Sequence, residues 1–161
     1  MGHKATYAIG AVILPDGRLV LSTEGGSKFA YEMIAGLTAE TFVSEVIGEL
    51  NPERALIVEM KDTIGMDLER DPSINKVLES TITVVSTGHY KRDLKFFVYK
   101  IENIYTFEIK TKSRSQIMFL SLDQIAKQIS DKTLNLSFCA KHMLTYLRTC
   151  QSLKSFEGTL S

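Results

Sequence analysis

Apolar and polar positions change period several times along the chain, and each change marks an element. Tyr7–Leu14 is a nearly continuous apolar run and reads as a buried strand. Pro15-Asp16-Gly17 supplies turn chemistry, and the run from Arg18 to Ser22, with Leu19, Val20 and Leu21, reads as the return strand of a β-hairpin. Glu24–Lys28 reads as a loop, and Phe29–Ile34 as a short strand ended by Ala35-Gly36. Leu37–Ile47 fits two periods. Its apolar residues allow a short helix, and strand alternation fits in part.

The next segment carries the clearest signals. Asn51 suits an N-cap, Pro52 the first helical position, and Glu53 the positive helix end. Leu56, Ile57, Met60 and Ile64 recur at helical spacing, and Gly65 stands where a left-handed cap belongs. A helix over Pro52–Ile64 follows. Glu69–Asn75 reads as a polar loop, Leu78–Ser86 as a strand, Thr87–Asp93 as a break, and Leu94–Ile101 as a second strand. Ile104–Ile109 reads as extended, Lys110–Ser115 as a basic loop, and Gln116–Ser121 as a short strand. A helix over Leu122–Ile129, capped by Ser121, and a last helix from about Ser137 to Ser152 close the chain. Phe138, Met143, Leu144 and Leu147 are the expected buried stripe of that last helix, and the tail after Lys154 is expected to fray. This order predicts an α+β fold with α/β/α layering, not the regular alternation of a doubly wound sheet.

Composition narrows the classes. With 161 residues, 44% of them hydrophobic, the chain suits one domain over 1–161, with a core at about 7–150. Nineteen basic residues balance nineteen acidic ones, which argues against a domain built to coat nucleic acid. Two cysteines are too few for a disulfide framework or a zinc cluster. No apolar run approaches the ~18 residues of a membrane span, and no secretory signal is evident, so a cytoplasmic protein without membrane partners is expected. Neither GxGxxG nor a P-loop occurs. Lys110, Lys112 and Arg114 form a basic cluster without interleaved aromatics, and read as a solvated loop.

The capped helix is where chemistry concentrates. Glu59 and Asp62 are three apart, which places them on one helical face. Such a pair can hold magnesium or manganese, or can be solubilising charge neutralised by Lys61 and Arg54. The helix also carries the beginning of a family resemblance. Glu59-Met60-Lys61-Asp62-Thr63-Ile64-Gly65-Met66 resembles the end of a Nudix box, G-x5-E-x7-R-E-U-x-E-E-x-G-U, and Gly48-Glu49 with Asn51-Pro52-Glu53 resembles its entry. Tyr7–Ser22 resembles the opening Nudix hairpin. Tyr31-Glu32-Met33-Ile34-Ala35-Gly36-Leu37 is similar to the aromatic-Glu-Leu-Pro-Ala-Gly run of the ADP-ribose pyrophosphatase branch. Ser86-Thr87-Gly88 with Leu94–Phe97, and Met118–Ile125, resemble its later loop, strand and closing helix. In order, these pieces cover most of residues 7–147.

Departures accompany the match. Val58 stands where the box has arginine, Thr63 where it has its second glutamate, and Ile34 where a proline is usual. From Gly36 to Glu59 is 23 positions where the pattern has 15, so extra residues, with Glu40, Glu45 and Glu49 among them, precede the helix. The resemblance implies a Nudix α/β/α sandwich whose mixed sheet carries a degenerate box helix. It implies Mg2+- or Mn2+-dependent hydrolysis of nucleoside diphosphate-linked compounds such as ADP-ribose, slow or altered. Glu59 and Asp62 would be metal ligands, Gly36 would add backbone, and Glu49 or His89 would be the base. Tyr31, Lys28 and Lys91 would bind the nucleotide, and a homodimer is a family implication. The alternative is a Nudix-fold module without catalysis that binds a nucleotide, RNA or protein. His89 otherwise reads as an exposed loop residue, and Lys91 as a solvated turn residue.

Overall fold

The computed structural model describes residues 4–23, 37–46, 51–86, 90–102 and 116–156. Eight strands there form one mixed sheet, and three helices cover its two faces. In chain order these are β1 (Lys4–Ile13), β2 (Leu19–Thr23), β3 (Leu37–Glu40), β4 (Phe42–Val46) and α1 (Pro52–Ile64). Then follow β5 (Ile74–Ser86), β6 (Tyr90–Ile101), β7 (Gln116–Leu120), α2 (Leu122–Ser130), β8 (Leu134–Leu136) and α3 (Phe138–Phe156). The sheet runs β5-β6-β1-β2-β3-β8, with β4 also on β1 and β7 also on β2. β6 lies parallel to β1, while β5 is antiparallel to β6. The α+β expectation holds.

The hairpin closes as its turn residues dictate. Gly17 takes φ +91°, a conformation that costs other residues a Cβ clash, and donates its N–H to the Leu14 carbonyl at 2.9 Å. Arg18 locks the turn from the side through its ion pair with Asp16 at 2.6 Å.

Strand alternation divides the core. Along β1, Ala8 and Val12 face one side and Ile9 and Ala11 the other; along β6, Phe97, Tyr99 and Ile101 oppose Leu94, Phe96 and Val98. The first side packs on Leu56, Met60 and Ile64 of α1. The second packs on Ile125 of α2 and on Met143, Leu144 and Leu147 of α3. Gly10 of β1 faces α1. A Cβ there would lie 2.9 Å from Leu56 Cδ2, so the missing side chain sets how closely helix and sheet approach.

Several sequence expectations need correction. Leu37–Val46 is not a helix. It is an extended segment serving two strands: β3 pairs with β2, Thr41 intervenes, and β4 pairs with β1. Those two edges need backbone partners, and β-branched Thr38, Thr41, Val43 and Val46 suit a pleat. Residues 37–46 of the stretch before α1 are therefore largely sheet, not a free insertion. β5 begins at Ile74, inside the expected loop, and β6 at Tyr90, inside the expected break. Lys91, Asp93 and Lys95 alternate along one face of β6, which pairs with β1 on one side and β5 on the other, so their polarity does not end the strand. Phe138 is 41% exposed and stacks under Arg92 instead of entering the core. β8 was not foreseen. Phe29–Ile34 and Ile104–Ile109 lie outside the described residues.

Thr41 is 3% exposed, and its Oγ1 has no hydrogen-bond partner among the described residues. A buried hydroxyl left so costs about 1–3 kcal/mol. Thr41→Val keeps the shape and removes the hydroxyl. It is expected to hold or raise stability, by about 1 kcal/mol, in urea denaturation; a loss of that size would mean that the hydroxyl is satisfied.

Candidate functional site

α1 positions the candidate chemistry because both its ends are fixed. The Asn51 side chain accepts the Arg54 N–H at 3.2 Å. Gly65, at φ +70°, donates its N–H to the Lys61 carbonyl at 3.1 Å. Leu56, Met60 and Ile64 point into the core, and the same helical period turns Val58, Glu59 and Asp62 outward. Val58 is 52% exposed.

Charges on the helix sort into two groups. Glu53 faces the sheet: buried Tyr99 donates its hydroxyl to Glu53 Oε1 at 3.2 Å, and Lys76 donates to Oε2 at 2.8 Å. Lys76 also lies 3.4 Å from Glu79. Burial, then the charge of Glu53, pushes the Tyr99 phenol well up from its ordinary 10.0. The hydrogen bond to Glu53 raises the Lys76 ammonium likewise. The helix's own cations turn to the following loop, Arg54 to Glu69 and Lys61 to Asp67, the latter at 3.9 Å. Asp67 in turn accepts the Arg70 and Glu69 N–H groups, and those bonds hold its carboxyl below the usual range. Arg54 and Lys61 are thus engaged elsewhere, and Asp62 makes no ion pair among the described residues.

Of the carboxylates ahead of α1, Glu40 and Glu45 lie on described strands. Glu45 stands opposite Tyr7 on β1, on the face that carries Val43, away from α1. Glu40 lies near Cys139 of α3, where its charge and burial raise the thiol while Arg92 opposes them. Both cysteines are half-buried and free. Lys91 is described and exposed, four positions from Lys95 along β6, or about 13 Å. Gly36, Glu49, His89, Tyr31 and Lys28 lie outside the described residues.

A cleft of about 190 Å3 opens beside the start of α1, lined by Asn51, Pro52, Glu53, Glu79, Lys95 and Phe97 among others. The sequence reading missed it. Its one signal was Lys95 and Phe97 falling on one face of an alternating strand, but nothing local ties them to Glu53.

Among the described residues no group of three or more His, Cys, Asp or Glu comes together. Magnesium, however, commonly takes one or two protein carboxylates, several waters and substrate phosphates. Glu59 and Asp62, outward on a rigid helix, fit that sparse set. They do not make an all-protein cage. Among the described residues no helix is long and apolar enough to cross a membrane.

Solved structures share this architecture at low sequence identity. The E. coli ORF135 protein is 10% identical over 95% of this chain and 94% of its own, with a TM-score of 0.63. The Nudix hydrolase RenU from M. smegmatis is 14% identical over 94% and 86%, with a TM-score of 0.59. At these identities the likeness is one of fold, and the fold is Nudix-like. No protein-family model and no curated protein matches the sequence.

The Glu53 network makes a pH prediction. Tyr99 and Lys76 hold their protons more tightly folded than unfolded, so their stability is full below the ordinary values of 10.0 and 10.5 and is lost as pH rises through them. Above that range the wild type should lose urea resistance more steeply than Tyr99→Phe. Parallel curves would remove Tyr99 from the alkaline transition.

Proposed function

We propose that this chain is a Nudix-type pyrophosphohydrolase of nucleoside diphosphate-linked compounds, ADP-ribose-like ones first, with slowed or altered chemistry. The observation that carries the reading is the pair Glu59 and Asp62, side by side on the outer face of a doubly capped helix in a chain of this fold. α1 is the degenerate box in this reading. The two carboxylates hold Mg2+ or Mn2+ together with the oxygens of a diphosphate. The bound ion supplies charge that draws electrons from the pyrophosphate and lowers the pKa of its water. The buried face of α1 keeps both carboxylates in register, and Arg54 and Lys61 pair with the next loop. Gly36 as a backbone ligand, Glu49 or His89 as base, and Tyr31, Lys28 and Lys91 as nucleotide contacts rest on the resemblance alone. Glu45 is dropped as a replacement ligand, because its strand directs it to the face away from α1.

A second reading has an observation of its own. Val58 exposes an aliphatic side chain where the box has an arginine that would hold Glu59 in one rotamer. A chain that has lost that partner and the second glutamate can keep the fold as a binding module alone.

One experiment separates them. Purified protein is incubated with magnesium, then manganese, and ADP-ribose, dinucleotides and nucleotide sugars, with products read by mass. The hydrolase reading expects metal-dependent cleavage, reduced about 100-fold or more in Glu59→Gln, the scale at which losing one group that stabilises transition-state charge is felt. Binding of the same compounds without cleavage favours the module. Cleavage indifferent to Glu59→Gln contradicts the assignment of the site.

A further inference from the structure

The cleft beside the first turn of α1 takes no part in the hydrolysis proposed above. Glu59 and Asp62 point outward further along the helix, six and nine residues beyond Glu53, or about 9 and 13 Å along its axis. The cleft lies where the first turn meets the sheet. Asn51, Pro52 and Glu53 form one wall. β5 and β6 form the other, with Glu79 opposite Phe97 and Thr81 opposite Lys95.

Its polar groups decide what it can take. The acceptors are already used. Glu53 accepts from Tyr99 and Lys76, Glu79 lies 3.4 Å from the same Lys76, and the Asn51 side-chain oxygen caps α1. The donors are not used. Lys95 is half-buried, yet among the described residues it makes no hydrogen bond or ion pair. Nor does the Thr81 hydroxyl or the Asn51 side-chain amide NH2 donate to any of them. The positive end of α1 already has Glu53 in its first turn, so attraction for a ligand rests on Lys95. Lys76 and Lys95 balance Glu53 and Glu79, so no net charge turns an anion away. An ammonium has three donors and no acceptor, and it asks for an anionic oxygen. The space of about 190 Å3 exceeds the ~150 Å3 that holds a benzene-sized molecule. A bare inorganic ion would leave much of it empty, whereas Pro52 and Phe97 offer apolar surface to an organic body.

We propose that this cleft binds a small organic anion, its carboxylate or phosphate taken by Lys95 and Thr81 and its body resting on Pro52 and Phe97. The site does not depend on the hydrolase reading.

The test is a titration of the full chain, without divalent ions, followed by backbone amide shifts. Benzoate and phenyl phosphate are the two probes, and benzyl alcohol is the uncharged control. At least one anion should give saturable shifts centred on 79–81, 95–97 and the start of α1, with an affinity of about millimolar or better. The tighter of the two names the acid group. Lys95→Gln removes the charge at little cost in size and should weaken binding about tenfold or more, the scale of one charge-assisted hydrogen bond. Thr81→Asp gives Lys95 an anion of its own directly opposite, so it should weaken binding likewise while the cross-strand pair supports the fold. Far-UV circular dichroism checks both variants. Absence of saturable shifts with either anion overturns the proposal, as do shifts centred on another element. So does benzyl alcohol binding as tightly as the anions, or an affinity unchanged in either variant.

Discussion

Everything at the candidate site depends on how closely α1 can lie on β1. Gly10 has no side chain, Leu56 fills the space, and the helix axis is thereby fixed against the sheet. Burying a leucine of this kind is worth about 1.5–3 kcal/mol. Its greater effect here is geometric. Once Leu56, Met60 and Ile64 are committed inward, the helical period commits Glu59 and Asp62 outward. The asparagine cap and the left-handed glycine set where that face begins and ends.

Electrostatics then sort the helix's acids by task. Glu53 turns toward the sheet and is satisfied by a phenol and an ammonium, so it anchors the first turn. Glu59 and Asp62 stay exposed on the outer face. Arg54 and Lys61 pair with Glu69 and Asp67 of the following loop. Paired carboxylates on a rigid element could hold a hydrated divalent ion, and that ion would in turn meet an anionic diphosphate. Val58 is exposed on the same face.

Local signals were legible in the sequence and non-local ones were not. The hairpin and α1 appear where turn and cap residues placed them, because their instructions lie within a few residues. The outward placement of Glu59 and Asp62 was legible for the same reason. Leu37–Val46 was ambiguous because what makes it a strand is the need of two other strands for partners. β8 is three residues long and has no pattern of its own. The Tyr99–Glu53 bond spans 46 residues, and no spacing rule reaches that far. The carboxylates before the helix looked able to repair the site until strand parity put Glu45 on the opposite face.

The central claim is that the outer face of α1 holds a divalent ion jointly with a diphosphate. Paramagnetic broadening by Mn2+ tests it most directly, read on the backbone amide spectrum with and without ADP-ribose. The account predicts broadening centred on Glu59 and Asp62, strengthened by the diphosphate and lost in Glu59→Gln. Broadening centred on another element, or none with ligand present, would contradict it.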